Sequence, residues 1–562
     1  MRWTIKPKPD PNKVARLSKE LVVDDITSFL LIQRGIETFE EAKDFFRPDL
    51  KDLHDPFLMK DMDKAVARIE EAILNKENIL VYGDYDVDGT TSVALMSSYL
   101  LTYYSNVATY IPDRYDEGYG ISYKGIDFAE DNNFSLIIAL DCGIKAIDKV
   151  DYASKKAIDF IICDHHRPGT KIPNAKAILD PKRDDCNYPF KELCGCGVGF
   201  KLIQALASKK GETIEDLLLY LDLVATAIGA DIVPIVDENR ILAFHGLKVI
   251  NQNPRPGFKA IIEQVKKGTL TITDVVFIIA PRINAAGRMK HGNHAVTLLC
   301  ETDINLATQY ANEIDTYNSD RRDTDKRITI EALDQLEELK EQEGCTTVVY
   351  KENWHKGVIG IVASRLIETY YRPTLVFTKS GDVLAASARS VKGFDVYNAL
   401  EQCSEFIEQF GGHKYAAGLT IKKEKYLKFK SKFEESVSKI FKSKNSEPEI
   451  VIESEIDLDF ITPKFYRILK QFEPFGPGNR TPLFLTRGLK VKDKEFKLGK
   501  EKEHIKLNFT QDNMETFPAI GFWLSEKFDG IKDSSSFSAV YSIDENTWNG
   551  TTTMQLKIKD LK

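Results

Sequence analysis

Residues Ile158 to Gly169 read I-D-F-I-I-C-D-H-H-R-P-G. The apolar run 160–163 is short and β-prone, as a buried strand should be, and it breaks off directly in Asp164, His165 and His166 before a Pro-Gly turn. Two imidazoles and a carboxylate are poor core material, because burying them unpaired is costly. Alone, the string fits a solvated loop equally well. Working outward, the same pattern recurs: apolar runs at 79–82, 107–111, 136–140 and 177–179 alternate with helical patterns at 91–104, 123–130 and 145–155. Short continuous strands separated by helices predict an α/β fold, a doubly wound parallel sheet covered on both faces.

The rest of the chain divides around that lobe. Residues 1–50 read as a helical lead-in, with an apolar helical pattern at 21–35 and a capping box opening at Thr38. A helix at 62–74 feeds the first strand of the lobe, which is assigned 51–304. Residues 305–343 form one long, charged helical pattern of the kind that bridges domains. A second, smaller α/β lobe follows at 344–444, and S-K-N-S-E-P at 443–448 reads as a linker. Short strands punctuated by turns then predict a small OB-like β-barrel over 445–562.

At 562 residues, three or so domains are expected, and 43% hydrophobic with 29% charged residues is an ordinary soluble composition. The N-terminus shows no apolar signal segment and no run is long enough for a membrane span, so a cytoplasmic setting without membrane contact is expected. Among eight cysteines only Cys194 and Cys196 are close, and a lone C-x-C is weak for zinc. The net charge of −8 excludes a protein coated in positive potential, although local patches can still bind phosphates. Nine lysines against three glutamates over 422–444 form one such patch, equally readable as a solvated helix face.

Chemistry concentrates at the strand ends. The first strand ends in G-D-Y-D-V-D-G-T-T, with Asp84, Asp86 and Asp88, and the third in Asp141-Cys142-Gly143. An EF-hand loop begins in a similar way, but counting from Asp84 puts Leu95 where the bidentate Glu is required. Three strands of one parallel sheet thus deliver carboxylates or imidazoles from their carboxyl ends, the edge where such sheets place ligands. Helix capping explains one terminal Asp but not this cluster. Hard carboxylates with one or two imidazoles suit Mn²⁺ or Mg²⁺, and their number suits two ions. The residues alone point to metal-assisted hydrolysis of a phosphate ester or anhydride.

The ordered motifs V-Y-G-D-Y-D-V-D-G, D-C-G, D-H-H-R-P and A-D-I-V-P resemble those of the DHH phosphoesterase superfamily. P-R-I-N-A-A-G-R-M (281–289), W-H-K-G-V-I-G-I-V-A-S-R-L (354–366), S-A-R-S (387–390), G-G-H-K-Y-A-A-G (411–418) and P-F-G-P-G-N-R-T-P-L-F (474–484) are similar to its branch of single-strand-specific DNA exonucleases. The resemblance covers essentially the whole chain. It implies a DHH lobe, a DHHA1-type second lobe and an OB module. It implies metal ligation by Asp86, Asp88, Asp141, His165 and Asp231, with Asp141 bridging two ions and Asp84 a further candidate. Tyr82 stands where many relatives carry a His, so the first metal would use fewer protein ligands or borrow Asp84. His166 matches the imidazole facing the scissile phosphate, and the catalytic set is His166, Asp141 and Asp164, the last orienting the imidazoles. Arg114, Arg282, Asn284, Arg288, Ser387 and Arg389 would grip the DNA backbone and a 5′ terminal phosphate, with His355 and His413 at the lobe interface.

The implied activity is exonucleolytic hydrolysis of single-stranded DNA in repair and recombination, with 5′-to-3′ polarity taken from the resemblance alone. Aromatics of the OB module would stack the bases of the incoming strand. The resemblance also suggests a monomer that works with a single-stranded-DNA-binding protein and a helicase. A hydrolase of short oligonucleotides or cyclic dinucleotides shares the chemistry, but the C-terminal barrel argues against it. A metal-free repair scaffold would not need the complete Asp and His motifs.

Overall fold

The structure is a computed structural model, and it describes the chain except residues 266, 442–447, 493–494, 513–515 and 549–550. The expected linker at 443–448 therefore lies almost wholly outside the described residues, as do Lys442 and Lys444 of the lysine-rich stretch.

The lead-in is not all helical. It opens with a strand, β1 (Arg2–Ile5), before helices Pro11–Leu21, Asp25–Ile32 and Phe39–Phe46. The helix expected over 21–35 is interrupted: Val22 turns left-handed at φ 54, and the Asp24 side chain caps a new helix through the Thr27 amide. Thr38 and Glu41 form the expected capping box.

The first sheet holds β2 (Asn78–Gly83), β3 (Val107–Tyr110), β4 (Phe134–Leu140), β5 (Asp159–Cys163) and β6 (Ala177–Leu179), all parallel, in the order β3-β2-β4-β5-β6. The order reverses between β2 and β4. At such a switch point the helices leave toward opposite faces, and a crevice opens beyond the strand ends. That crevice is bounded by the two aspartate-bearing ends, Asp84 to Asp88 after β2 and Asp141 after β4. The helix after β2 spans Val87–Leu100 rather than starting near Thr91, with Asp86 as its N-cap. The turn-like V-D-G-T is instead its buried first turn.

Helix Ile304–Glu338 runs for 35 residues, about 52 Å at 1.5 Å per residue. Its Ala307, Ala311 and Ile314 join the core of the first lobe, and Ile328, Ala332 and Leu336 that of the second. One buried stripe thus fixes both lobes to a single rod. The second lobe is a mixed sheet, β10-β11-β9-β8-β7, built from β7 (Thr347–Tyr350), β8 (Thr374–Ser380), β9 (Val383–Arg389), β10 (Ile407–His413) and β11 (Ala416–Lys422). Its lysine-rich end is largely neutralised, for Lys423, Lys425 and Lys430 pair with Glu352, Glu408 and Glu341.

Beyond it, β12 (Glu449–Ile452) pairs in parallel with β1, across almost the whole sequence. A short β13 (Ser454–Glu455) leads to β14 (Phe484–Val491), β15 (Phe496–Leu498), β16 (His504–Thr510), β17 (Phe517–Gly521), β18 (Phe537–Trp548) and β19 (Thr551–Leu561). The ring β14-β18-β19-β17-β16 closes through β16 on β14, with β17 and β19 parallel. That is OB connectivity. Leu17, Leu30, Leu31 and Ala42 of the lead-in complete the core of the barrel, so the two chain ends form one packed unit. Among the described residues no helix is long and apolar enough to cross a membrane.

Candidate active site

Asp88 is 3% exposed and its two carboxylate oxygens accept the Gly195 and Cys196 amides, each at 2.7 Å. These amides open helix Gly195–Lys209, so the carboxylate sits where free N–H groups and the helix dipole favour a negative charge. Asp141 follows β4 in the left-handed region at φ 59 and is 1% exposed. A Cβ on Gly195 would lie 2.6 Å from the Asp141 Cβ and 2.7 Å from its Oδ1, so only glycine lets these segments meet. Asp231 ends helix Leu221–Ala230. His165 Nε2 lies 3.2 Å from Asp141 Oδ1, 3.6 Å from Asp231 Oδ2 and 3.8 Å from Asp88 Oδ2. Carboxylates from three separate segments thus converge on one imidazole nitrogen.

Their electrostatics are those of ligands without compensation. Burial, then the charges of neighbouring aspartates, pushes the Asp88 and Asp141 carboxyls well above the ordinary range. Asp231 is pushed up to about 7 by burial and then by Asp86. Asp86 thus sits within electrostatic reach of all three, and of Asp84, whose carboxyl is likewise raised by burial and Asp86. Burial, with the charge of His166 next, holds the His165 imidazole down to about 3, hence neutral. Among the described residues, Asp84 Oδ2, Asp141 Oδ1 and both His165 ring nitrogens are buried without a hydrogen-bond partner. Native interiors rarely leave such atoms unmet. Two sets of potential ligand atoms, on Asp88, His165 and Asp231 and on Asp141, His165 and His166, each lie within 4.8 Å of one another. Hard oxygens facing one another with a neutral imidazole fit Mn²⁺ or Mg²⁺.

Asp164 and His166 have a different task. Asp164 is 1% exposed; its Oδ1 accepts the His165 and His166 amides and lies 2.8 Å from His166 Nδ1, while Oδ2 accepts the Ile144 amide. Burial opposes that charge, but the hydrogen bonds win and hold the carboxyl down to about 2. The same pair raises His166, against burial, to about 9. His166 Nε2 is left facing the Tyr119 hydroxyl at 3.4 Å. Tyr82, in the place of the relatives' His, is fully buried: its hydroxyl donates to the Gly120 carbonyl, and the Gly120 amide donates to Asp84 Oδ1. It braces the Asp84 loop from within the core.

Beside this cluster lies a cationic one. Arg114 stacks 3.8 Å over the Tyr85 ring and donates to the Gly287 carbonyl. Arg288 donates to the Gly357 carbonyl, and Arg389 to Ser387 Oγ and the Ala388 carbonyl. Burial, then the charges of Arg114, Arg389 and Arg321, pushes the Arg288 guanidinium down to about 9. A Cβ on Gly360 would lie 2.9 Å from both Arg389 Nη2 and Ser387 Oγ, so the start of helix Ile359–Thr369 is pressed onto that pair. His355 meets Tyr115 edge-on at 6.1 Å between ring centroids. Burial lowers His413, on β10 of the second lobe, and the charges of Lys145, His166 and Lys182 lower it further. Arg282 is committed elsewhere, to the Ile278 carbonyl and to Asp315 on the long helix. Asn284 keeps a buried Oδ1 without a partner among the described residues.

Sequence reasoning missed the Gly195 and Cys196 amides, Tyr119, Lys182 and Arg321. A glycine pair flanking a cysteine could have marked a close approach, but lone tyrosines, lysines and arginines carry no signal.

On the barrel, β15, β16, β17 and β19 turn a row outward, with Phe496 opposite Lys506, Lys506 opposite Ile520 and Ile520 opposite Lys557. At its end stand Phe522 and Trp523, 46% and 74% exposed, both ring-packed against His504.

A doubly wound lobe with this carboxylate–histidine cluster, joined by a rod to a smaller lobe, defines the DHH class of phosphoesterases. The DHH family, N-terminal domain, matches residues 78–228, the DHHA1 domain 342–439 and the RecJ OB domain 452–560. The single-stranded-DNA-specific exonuclease RecJ of Bacillus subtilis (strain 168) is 37% identical over 567 residues, covering 100% of this chain and 70% of that protein. The RecJ exonuclease of Escherichia coli (strain K12) is 34% identical over 444 residues, 75% of this chain and 77% of that protein. The crystal structure of RecJ in complex with Mn²⁺ from Thermus thermophilus superimposes with a TM-score of 0.86 at 26% identity, covering all of this chain and 79% of that one. The chain belongs to the RecJ family.

Proposed function

We propose that the chain is a divalent-metal-dependent exonuclease that hydrolyses phosphodiester bonds of single-stranded DNA, using two ions. The observation that carries the reading is the set of buried, donorless ligand atoms of Asp84, Asp141 and His165 directly beside an arginine cluster bonded to carbonyls and a hydroxyl rather than to carboxylates. Among the described residues these acceptors lack a cation, and Arg114, Arg288 and Arg389 beside them pair with no carboxylate, as a metal–phosphate complex requires.

Asp86, Asp88, Asp141, His165 and Asp231 would hold the ions, with Asp84 beside them. Bound there, the ions supply Lewis acidity, lowering the pKa of a water and offsetting charge at phosphorus. His166, kept protonated by Asp164, presents Nε2–H toward the scissile phosphate and stabilises the charge that grows on it. Arg114, Arg288, Arg389 and Ser387 receive the terminal 5′ phosphate, which sets the register and gives 5′-to-3′ polarity. The Phe496–Trp523 face of the barrel holds the strand behind the cleft by stacking and backbone charge.

The test compares 5′-labelled single-stranded DNA, the same sequence as duplex, and a cyclic dinucleotide, each with Mn²⁺ or Mg²⁺. Mononucleotides released from the single strand well ahead of the other two substrates are expected. Faster turnover of the cyclic dinucleotide would overturn the assignment.

A further inference from the structure

The segment P-F-G-P-G-N-R (474–480) leads into the barrel and packs on the first lobe instead of joining the sheet. It forms a tight turn. Gly476 and Asn479 exchange both backbone hydrogen bonds, at 2.9 and 3.0 Å, around Pro477 and Gly478. Gly478 has φ 76, the positive value a type II turn demands after proline. Asn479 locks the turn from within, its Nδ2 donating to the Phe472 and Pro474 carbonyls and its Oδ1 accepting from Arg34. Arg240, on helix Asp237–Gln252 of the first lobe, grips the same chain through the Phe472 and Glu473 carbonyls.

The turn is docked against the stretch that follows Asp231. The Ile235 amide donates to the Pro477 carbonyl at 2.7 Å. A Cβ on Gly476 would lie 2.5 Å from Ile235 Cγ1, and one on Gly478 2.9 Å from Val236 Cγ1. The stretch it supports is a strained connection: Ile232 sits at φ 60 and Asp237 at φ 48. Side chains with positive φ persist only where surroundings over-determine them. The first lobe braces it as well, through the Asn239 Nδ2 bond to the Pro234 carbonyl, His54 Nε2 at 3.2 Å from Asp237 Oδ1, and Val233 and Ile235 in its core.

The geometry points to the Gly476–Asn479 turn as a positioning element of the metal site, which sets Asp231 through Ile235 and thereby makes the catalytic lobe depend on the C-terminal unit. The inference rests on the reading of Asp231 as a metal ligand. Outer partners that orient a ligand typically matter about 10- to 100-fold in metal affinity or activity.

Mn²⁺ affinity of the whole chain, followed by the electron paramagnetic resonance of free Mn²⁺, is measured beside turnover of a linear dinucleotide too short to reach the barrel. Gly476→Ala should weaken Mn²⁺ binding by about tenfold and lower kcat on the dinucleotide with KM unchanged. Gly476→Ala/Ile235→Ala, which removes the clashing Cγ1, should recover most of both. Gly478→Ala gives the same reading should Gly476→Ala fail to fold. Unchanged Mn²⁺ affinity in a folded single variant, or a double variant no better than the single, would overturn the inference. A wild-type chain that binds Mn²⁺ but leaves all DNA intact would instead sink the nuclease reading, since the affinity comparison needs no catalysis.

Discussion

At the scale of single residues, the site is held together by charges the fold alone does not satisfy. Replacing Asp141 by Ala removes a buried carboxylate whose Oδ1 lacks a donor but puts Ala at φ 59, two effects of opposite sign, so the metal-free variant should unfold close to the wild-type temperature while hydrolysis and Mn²⁺ binding are lost. Retained activity would remove Asp141 from the ligand set. Asp231 adds a pH dependence. Its folded-state pKa, near 7, lies above the ordinary value of about 3.9, so without metal the folded state binds the extra proton and stability falls as pH rises through that window. A cation replaces that proton. The increase in Tm caused by Mn²⁺ should therefore be larger at pH 8 than at pH 6, and an equal increase at both would contradict the electrostatic account. Arg389→Ala should reduce the preference for 5′-phosphorylated over 5′-hydroxyl strands by roughly tenfold, read from competition between the two substrates. The carboxylates and histidines were legible because they sit in motifs at strand ends. Arg321 was not, because its place beside Arg288 depends on how the long helix crosses the first lobe.

At the scale of elements, local pattern served where the contacts are local. β2 to β6 lie within a residue or two of their apolar runs; β2, β4, β5 and β6, buried on both faces, have little freedom in composition. The start of helix Val87–Leu100 was misplaced because Gly89 looks like a turn residue; in fact a Cβ there would lie 2.3 Å from the Asp84 carbonyl oxygen, and the glycine serves that approach. β1 was invisible as a strand, because its partner β12 lies at the other end of the chain. The barrel face yields a prediction of its own. Base stacking is worth about 1–3 kcal/mol per base, so Trp523→Ala should weaken binding of a long single strand about 5- to 150-fold and leave dinucleotide turnover unchanged. Fluorescence anisotropy with the labelled strand measures the first and initial rates the second. Undiminished strand binding would remove this face from the DNA path.

At the scale of the molecule, the rod Ile304–Glu338 and the lead-in divide the labour. The rod carries one buried stripe into both lobes, with Asn318, Arg321 and Asp325 as its polar middle; Arg321 bonds to both neighbours, and Arg365 of the second lobe reaches Asp325 at 2.8 Å. The lead-in crosses to the barrel and completes its core, an arrangement no reading of residues 1–50 in isolation could supply. The central claim is that these parts form one metal-dependent exonuclease cleft. It is tested most directly by incubating a 5′-phosphorylated single strand, long enough to reach the barrel, with wild-type chain and Asp141→Ala, in Mn²⁺ and after chelation. Mononucleotides released successively from the 5′ end by wild type in Mn²⁺ alone are predicted. Internal fragments, or undiminished release by the chelated wild type or by Asp141→Ala, would contradict it.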